Sequence, residues 1–180
     1  MAADLLEVLR GRQRKCSTPA VEVHGALTIS REECKDFKSL EIVNTTFTDQ
    51  VTISGFQYEP HFLIDFLATK FLGGLIVEGN SGSRIDFLGG EADFLSFRGR
   101  NQFDVVSLCG LAIQHKLELS GLQLRDNFRM ENTFFSELEL CSSRTSDQII
   151  VPRVITNNPM AIQHFHLAMI PVFKLLTGKP

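Results

Sequence analysis

Between Leu40 and Leu140 the chain repeats one short phrase: an apolar residue, any residue, an apolar residue, any residue, then a residue suited to a bend. The first apolar slot reads Leu40, Val51, Phe62, Leu75, Ile85, Leu95, Val106, Leu117, Phe128, Leu138. The second reads Ile42, Ile53, Ile64, Val77, Phe87, Phe97, Leu108, Leu119, Met130, Leu140. Apolar residues at i and i+2 describe a strand with one buried face. The residue four beyond the first slot reads Asn44, Gly55, Phe66, Gly79, Gly89, Gly99, Gly110, Gly121, Asn132, Ser142. Gly lacks Cβ and Asn can bond locally, so both enter the left-handed backbone region with least strain. Each strand is therefore expected to end in a tight bend, with Phe66 as the exception.

The rungs follow one another in steps of 10 or 11 residues, with a single step of 13 between Phe62 and Leu75. One such step is too short to enclose a core. Two rungs per coil close it at about 21–22 residues, and a solenoid of about five coils follows. With ~4.8 Å between stacked strands the rod would be about 24 Å long. Phe47, Tyr58, Ile113, Leu124 and Phe135, three beyond the bend, are placed to fill the corners. The long step and the extra apolar groups Phe66, Phe71 and Leu72 predict a loop or bulge over Leu67–Gly74, and these three residues are a candidate interaction surface.

The phrases Ala92-Asp93-Phe94-Leu95-Ser96 and Glu131-Asn132-Thr133-Phe134-Phe135 carry a resemblance. Over roughly residues 40–142 the chain resembles the pentapeptide-repeat proteins and, more broadly, right-handed β-helices. The strict five-residue period is not kept, because an eleventh residue enters most steps. The resemblance implies architecture: mainly β, a right-handed β-helix of about five coils of two rungs.

Flanking segments divide the chain into 1–38, 39–148 and 149–180. Asp4 to Arg10 reads as a short helix capped by Asp4, followed by the basic cluster Arg10, Arg12, Arg14 and Lys15. Cations at a helix C-terminus complement its dipole, and the same cluster could meet a phosphate or an acidic partner. Val21 to Gly25 looks like an isolated first rung. Ser30 with Glu33 forms a capping-box pattern that predicts a helix to about Phe37. Ile149–Val151 reads as an edge strand stopped by Pro152. Asn158-Pro159 then opens a helix to about Leu176, kinked at Pro171. From Phe165 onward it is apolar almost all round. That exceeds what a cap over the last coil needs, so Phe165, Met169, Val172 and Phe173 are candidates for self-association. Twelve residues are too few to span a bilayer.

Composition narrows the function. Fifteen Phe, one Tyr and no Trp suit a dry solenoid core better than a sugar or base platform. A net charge of −3 disfavours direct nucleic-acid binding. Cys16, Cys34, Cys109 and Cys141 form no CxxC pair, no His stands at zinc-ligand spacing from them, and a Cys109–Cys141 disulfide is not expected. The start Met1-Ala2-Ala3-Asp4 lacks a basic lead and a long apolar run, so no signal peptide is expected and the cytoplasm is the default.

No catalytic motif, metal set or cofactor fingerprint is found, and no enzyme is expected. The outward slots read Glu41, Leu63, Asp86, Ser107, Arg129 on one face and Thr52, Ile76, Ser96, Glu118, Glu139 on the other. Paired carboxylates on such a ladder are what a β-helix polysaccharide-acting enzyme presents. His115 sits at a turn with no visible partner, and His24, His61, His164 and His166 are scattered. A second possibility is a DNA mimic that inhibits a DNA-processing enzyme, for which Asp86, Glu91, Asp93, Asp104, Glu118 and Glu139 would supply an acidic patch. The leading expectation is a non-catalytic protein-binding or scaffold module, with a small inhibitor of another protein complex as its specific form, self-associating through the C-terminal helix.

Overall fold

Alternation in the sequence becomes a stack of short parallel strands. The structure is a computed structural model that describes residues 20–32, 34, 39–56 and 62–139. Its strands are β1 (Val21–Val23), β2 (Leu27–Ser30), β3 (Ser39–Val43), β4 (Thr45–Phe47), β5 (Val51–Ser54), β6 (Leu63–Phe71) and β7 (Leu75–Glu78). They continue with β8 (Ser81–Ala92), β9 (Leu95–Arg98), β10 (Asn101–Cys109), β11 (Ala112–Ile113), β12 (Lys116–Glu118), β13 (Leu122–Glu131) and β14 (Glu137–Glu139).

Every pairing is parallel, and the strands form two sheets. The smaller runs β2-β5-β7-β9-β12-β14, and the larger runs β1-β4-β6-β8-β10-β13 with β3 on β6 and β11 on β8. Val51 faces Leu75, then Leu95, Leu117 and Leu138, so one coil takes 24, 20, 22 and 21 residues in turn. The chain is thus a parallel β-solenoid of about five turns, in accord with the fold-level resemblance.

Inward residues stack in columns. Leu40, Ile64, Ile85, Val106 and Phe128 form one, and Ile42, Phe66, Phe87, Leu108 and Met130 the next. All ten are buried. Phe47, Ile113 and Phe135 fill the adjoining corner, as their spacing predicts. Rings reinforce the columns: Phe66 lies 4.9 Å from Phe87 and Phe47 lies 5.3 Å from Phe71, both stacked. Dry aromatic contact of this kind stabilises beyond the area it buries.

One rung departs from the sequence reading. Ile64 and Phe66, not Phe62 and Ile64, continue the two columns. Phe62, Ile64 and Phe66 all alternate, so a slip of two residues leaves the pattern intact and only the cross-strand register decides. The bend then falls on Ala68, whose φ is +50°, in line with Asn44 (+48°) and Asn132 (+49°). Phe66 is no exception to the bend rule, because it is not a bend residue. Of the loop or bulge expected over Leu67–Gly74, a short turn is present and a bulge is not: β6 runs through to Phe71, and Gly74 N–H closes a turn onto the Phe71 carbonyl at 2.9 Å. The extra residues lie between β5 and β6, a stretch that includes residues 57–61, outside the described residues.

The coils also begin earlier than residue 39. β1 pairs with β4, and β2 with β5, so Val21–Ser30 already belongs to the stack. Ser30 ends a strand, and Cys34 N–H returns to the Ser30 carbonyl in a single turn. Among the described residues there is no helix. The helices expected at residues 4–10 and 158–176 lie outside the described residues, as do most of the residues expected in the helix before Phe37.

Buried polar groups close the corners. Asn80 receives Phe56 N–H at 3.1 Å and donates to the Ile53 carbonyl at 2.8 Å. One coil on, Asn101 receives Asn80 N–H at 3.1 Å and donates to the Val77 carbonyl at 2.9 Å. At the opposite corner Thr69 donates to the Ile42 carbonyl and Thr133 to the Leu108 carbonyl. These side chains satisfy carbonyls that a sharp bend takes out of the ladder.

Candidate binding face

The outer surface of β3, β6, β8, β10 and β13 carries three parallel rows. The central row is Glu41, Asp65, Asp86, Ser107 and Arg129. The corrected register puts Asp65 where the sequence reading had Leu63. Beside it runs Val43, Leu67, Leu88, Cys109 and Glu131, and on the other side Leu63, Arg84 and Val105. Neighbours in a row are one strand apart, ~4.8 Å, and adjacent rows are two residues apart, ~7 Å.

Asp86 is fully buried although it points away from the core. Arg84 sets its guanidinium against Oδ2, and Oδ1 has no hydrogen-bond partner. Burial pushes the Asp65 carboxyl above its ordinary value, the neighbouring Asp86 and Glu41 add to this, and Arg84 offsets part of it. Arg84 in turn is held protonated by Asp86. Arg129 is engaged by Glu131 at 2.9 Å. Leu67 and Leu88, adjacent in register, are 44% and 42% exposed, so the face is open beside the acids.

The six-stranded sheet presents a different outer row: Thr28, Thr52, Ile76, Ser96, Glu118 and Glu139. Here the expected adjacency of Glu118 and Glu139 holds. Burial works against ionisation of Glu118, but Ser96 Oγ at 2.6 Å, Ser120 Oγ at 2.7 Å and Arg98 Nε at 3.2 Å donate to it, and its carboxyl falls below the usual range. Lys116 forms an ion pair with Glu139. These acids are saturated by their own neighbours.

Several candidate residues are therefore relocated. Phe66 and Phe71 are 1% exposed and pack edge to face at 5.3 Å inside the core, so neither forms an interaction surface. Leu72 is 45% exposed, at the turn after β6. Phe165, Met169, Val172 and Phe173 lie outside the described residues. The acidic set does not share one patch: Asp86 and Asp104 lie on or beside the face just described, Glu91 and Asp93 at the next corner, and Glu118 and Glu139 on the other sheet. Asp93 does supply a partner for His115, Nδ1 to Oδ1 at 2.6 Å, which the sequence hid because the two stand one coil apart. Glu91 meets Gln114 at 3.0 Å and Lys70 at 3.6 Å.

Among the described residues no group of three or more His, Cys, Asp or Glu could hold a metal ion, and no helix is long and apolar enough to cross a membrane. Compared with protein families, curated proteins and solved structures, the chain matches none. The parallel solenoid stands as the likeness to β-helices, at the level of fold.

Proposed function

We propose that the protein is a non-catalytic binding module, a rigid rod that docks another protein or protein complex and could act as its inhibitor. The observation behind this reading is the face built on β6 and β8, where exposed Leu67 and Leu88 border the carboxylate of Asp86, whose Oδ1 has no hydrogen-bond partner. Apolar side chains beside polar groups short of partners are the ingredients of a protein contact. Self-association through residues 158–176 belongs to the same proposal, on sequence grounds. The spread of the six acidic residues over both sheets disfavours DNA mimicry, which needs one continuous stripe.

The test is quantitative capture with the full chain and with its Leu67→Ser/Leu88→Ser variant. A partner recovered by the first and lost with the second supports the reading. Identical recoveries would contradict it.

The adjacency of Asp65 and Asp86 favours one second reading, a polysaccharide-acting enzyme. A carboxyl whose pKa burial raises, beside one that is paired with Arg84, suits acid–base work. Turnover of an acidic glycan that disappears in Asp65→Asn would establish it, and absence of turnover would remove it.

A further inference from the structure

We infer that the face over β6 and β8 takes a cationic side chain, Lys or Arg, from an amphipathic segment of a partner protein whose apolar residues cover Leu67 and Leu88. This deepens the binding reading proposed above and rests on it.

Three observations converge on a cation. The central row brings Glu41, Asp65 and Asp86 into register on successive coils. Among the described residues, Arg84 is the guanidinium paired with these three, while Arg129, two strands from Asp86, is engaged by Glu131. The described face thus holds an excess of two negative charges when its acids are ionised. Asp86 is 0% exposed, and its Oδ1 accepts no hydrogen bond. A buried carboxylate oxygen without a donor is costly, and a positive charge brought over it from the exposed side offsets part of that cost. Proximity to Asp86 and partial burial also keep the Asp65 carboxyl from ionising as readily as an exposed one. A cation seated against Asp65, above the buried Asp86, would reverse that.

The second half of the recognition is apolar. Leu67 and Leu88 form a pair one strand apart, each more than two-fifths exposed. They stand about 7 Å from the acids, the reach of i, i+2 on a strand or close to i, i+4 on a helix. A free metal ion would use none of this, and no metal-holding group is found among the described residues. Nucleic acid and anionic lipid are repelled by the same charge. A polypeptide with a cation spaced one turn from apolar residues satisfies both rows.

The experiment measures binding of three synthetic helical peptides of equal length to the full chain: Leu/Lys, Leu/Glu and Ser/Lys. The Leu/Lys peptide should bind best. Its affinity should fall at least about tenfold with Asp65→Asn/Asp86→Asn, because a desolvated charge pair is lost. It should also fall with Leu67→Ser/Leu88→Ser. It should stay within about twofold with Glu78→Gln/Glu137→Gln, which removes the same charge from the opposite sheet. If the first double variant is unstable, Asp65→Asn alone carries the test. Preference for Leu/Glu, or affinity untouched by the Asp substitutions but lost with the Leu substitutions, overturns the cation and leaves the binding face standing. Affinity that neither double variant alters, or no binding by any peptide, overturns both. Concentration-dependent self-association that the Asp variant abolishes would assign the face to a second copy instead and overturn the partner.

Discussion

The two outer faces are built from the same strand geometry and carry carboxylates at equivalent positions, yet they treat them oppositely. On the six-stranded sheet, Glu118 receives three donors and Glu139 a lysine. On the larger sheet, Asp65 and Asp86 stand together with Arg84 as their shared counter-ion, and Asp86 Oδ1 is left without a donor. One face has its charges settled within the fold. The other holds Asp65 where partial burial disfavours its ionisation, next to exposed leucines. Since both rows serve the same solenoid, structural need does not account for the second arrangement. That asymmetry is the ground for assigning binding to it.

Substitutions can break or sharpen this contrast. The largest effects should be equal on both walls: Phe66→Ala beneath the acidic face and Phe97→Ala beneath the other should each cost about 3–5 kcal/mol in denaturant unfolding, as loss of a buried Phe does. Unequal costs would show that the walls differ in packing and not only in surface. Next are the corners. Asn101→Ala leaves Asn80 N–H and the Val77 carbonyl unserved and should cost about 2–4 kcal/mol, whereas Thr69→Ala removes one donor from the Ile42 carbonyl and should cost about 1 kcal/mol. Ala68→Gly should stabilise by about 1 kcal/mol in the same measurement, because an L-residue at φ +50° is strained and Gly is not. Lys116→Ala should leave the melting temperature unchanged, since its ion pair with Glu139 lies at the solvent.

Much of this architecture was legible in the residues. Alternation at i and i+2 with Gly or Asn at the bends identified the coils and the outer row from Thr52 to Glu139. Two things were hidden for physical reasons. Phe62, Ile64 and Phe66 satisfy alternation in either register, and the deciding bend sits on Ala68, a residue type that does not announce one. That slip placed Leu63 where Asp65 belongs and so concealed the acidic pair. Contacts between coils, such as Asp93 with His115 or Asn80 with Asn101, join residues about one coil apart whose types are ordinary along the chain. The ladder of interior residues carries a periodic signal, while the outward residues that distinguish one face from the other follow no period.

The contrast between the faces is tested most directly by the pH dependence of unfolding free energy for wild type, Asp65→Asn and Glu118→Gln. The folded state raises the Asp65 pKa above its ordinary value of 3.8, so folding becomes less favourable as pH rises through that value and Asp65 ionises. It lowers the Glu118 pKa below 4.5, so the stability that Glu118 contributes is present above that pH and lost as pH falls through the lowered value. At pH 7, Asp65→Asn should therefore be more stable than wild type and Glu118→Gln less stable; the Asp65 difference should fade as pH falls below the ordinary carboxylate range, and the Glu118 difference only as pH falls through its lowered folded value. Destabilisation by Asp65→Asn at pH 7, with the same pH profile as Glu118→Gln, would show that both faces settle their charges within the fold and would contradict the assignment.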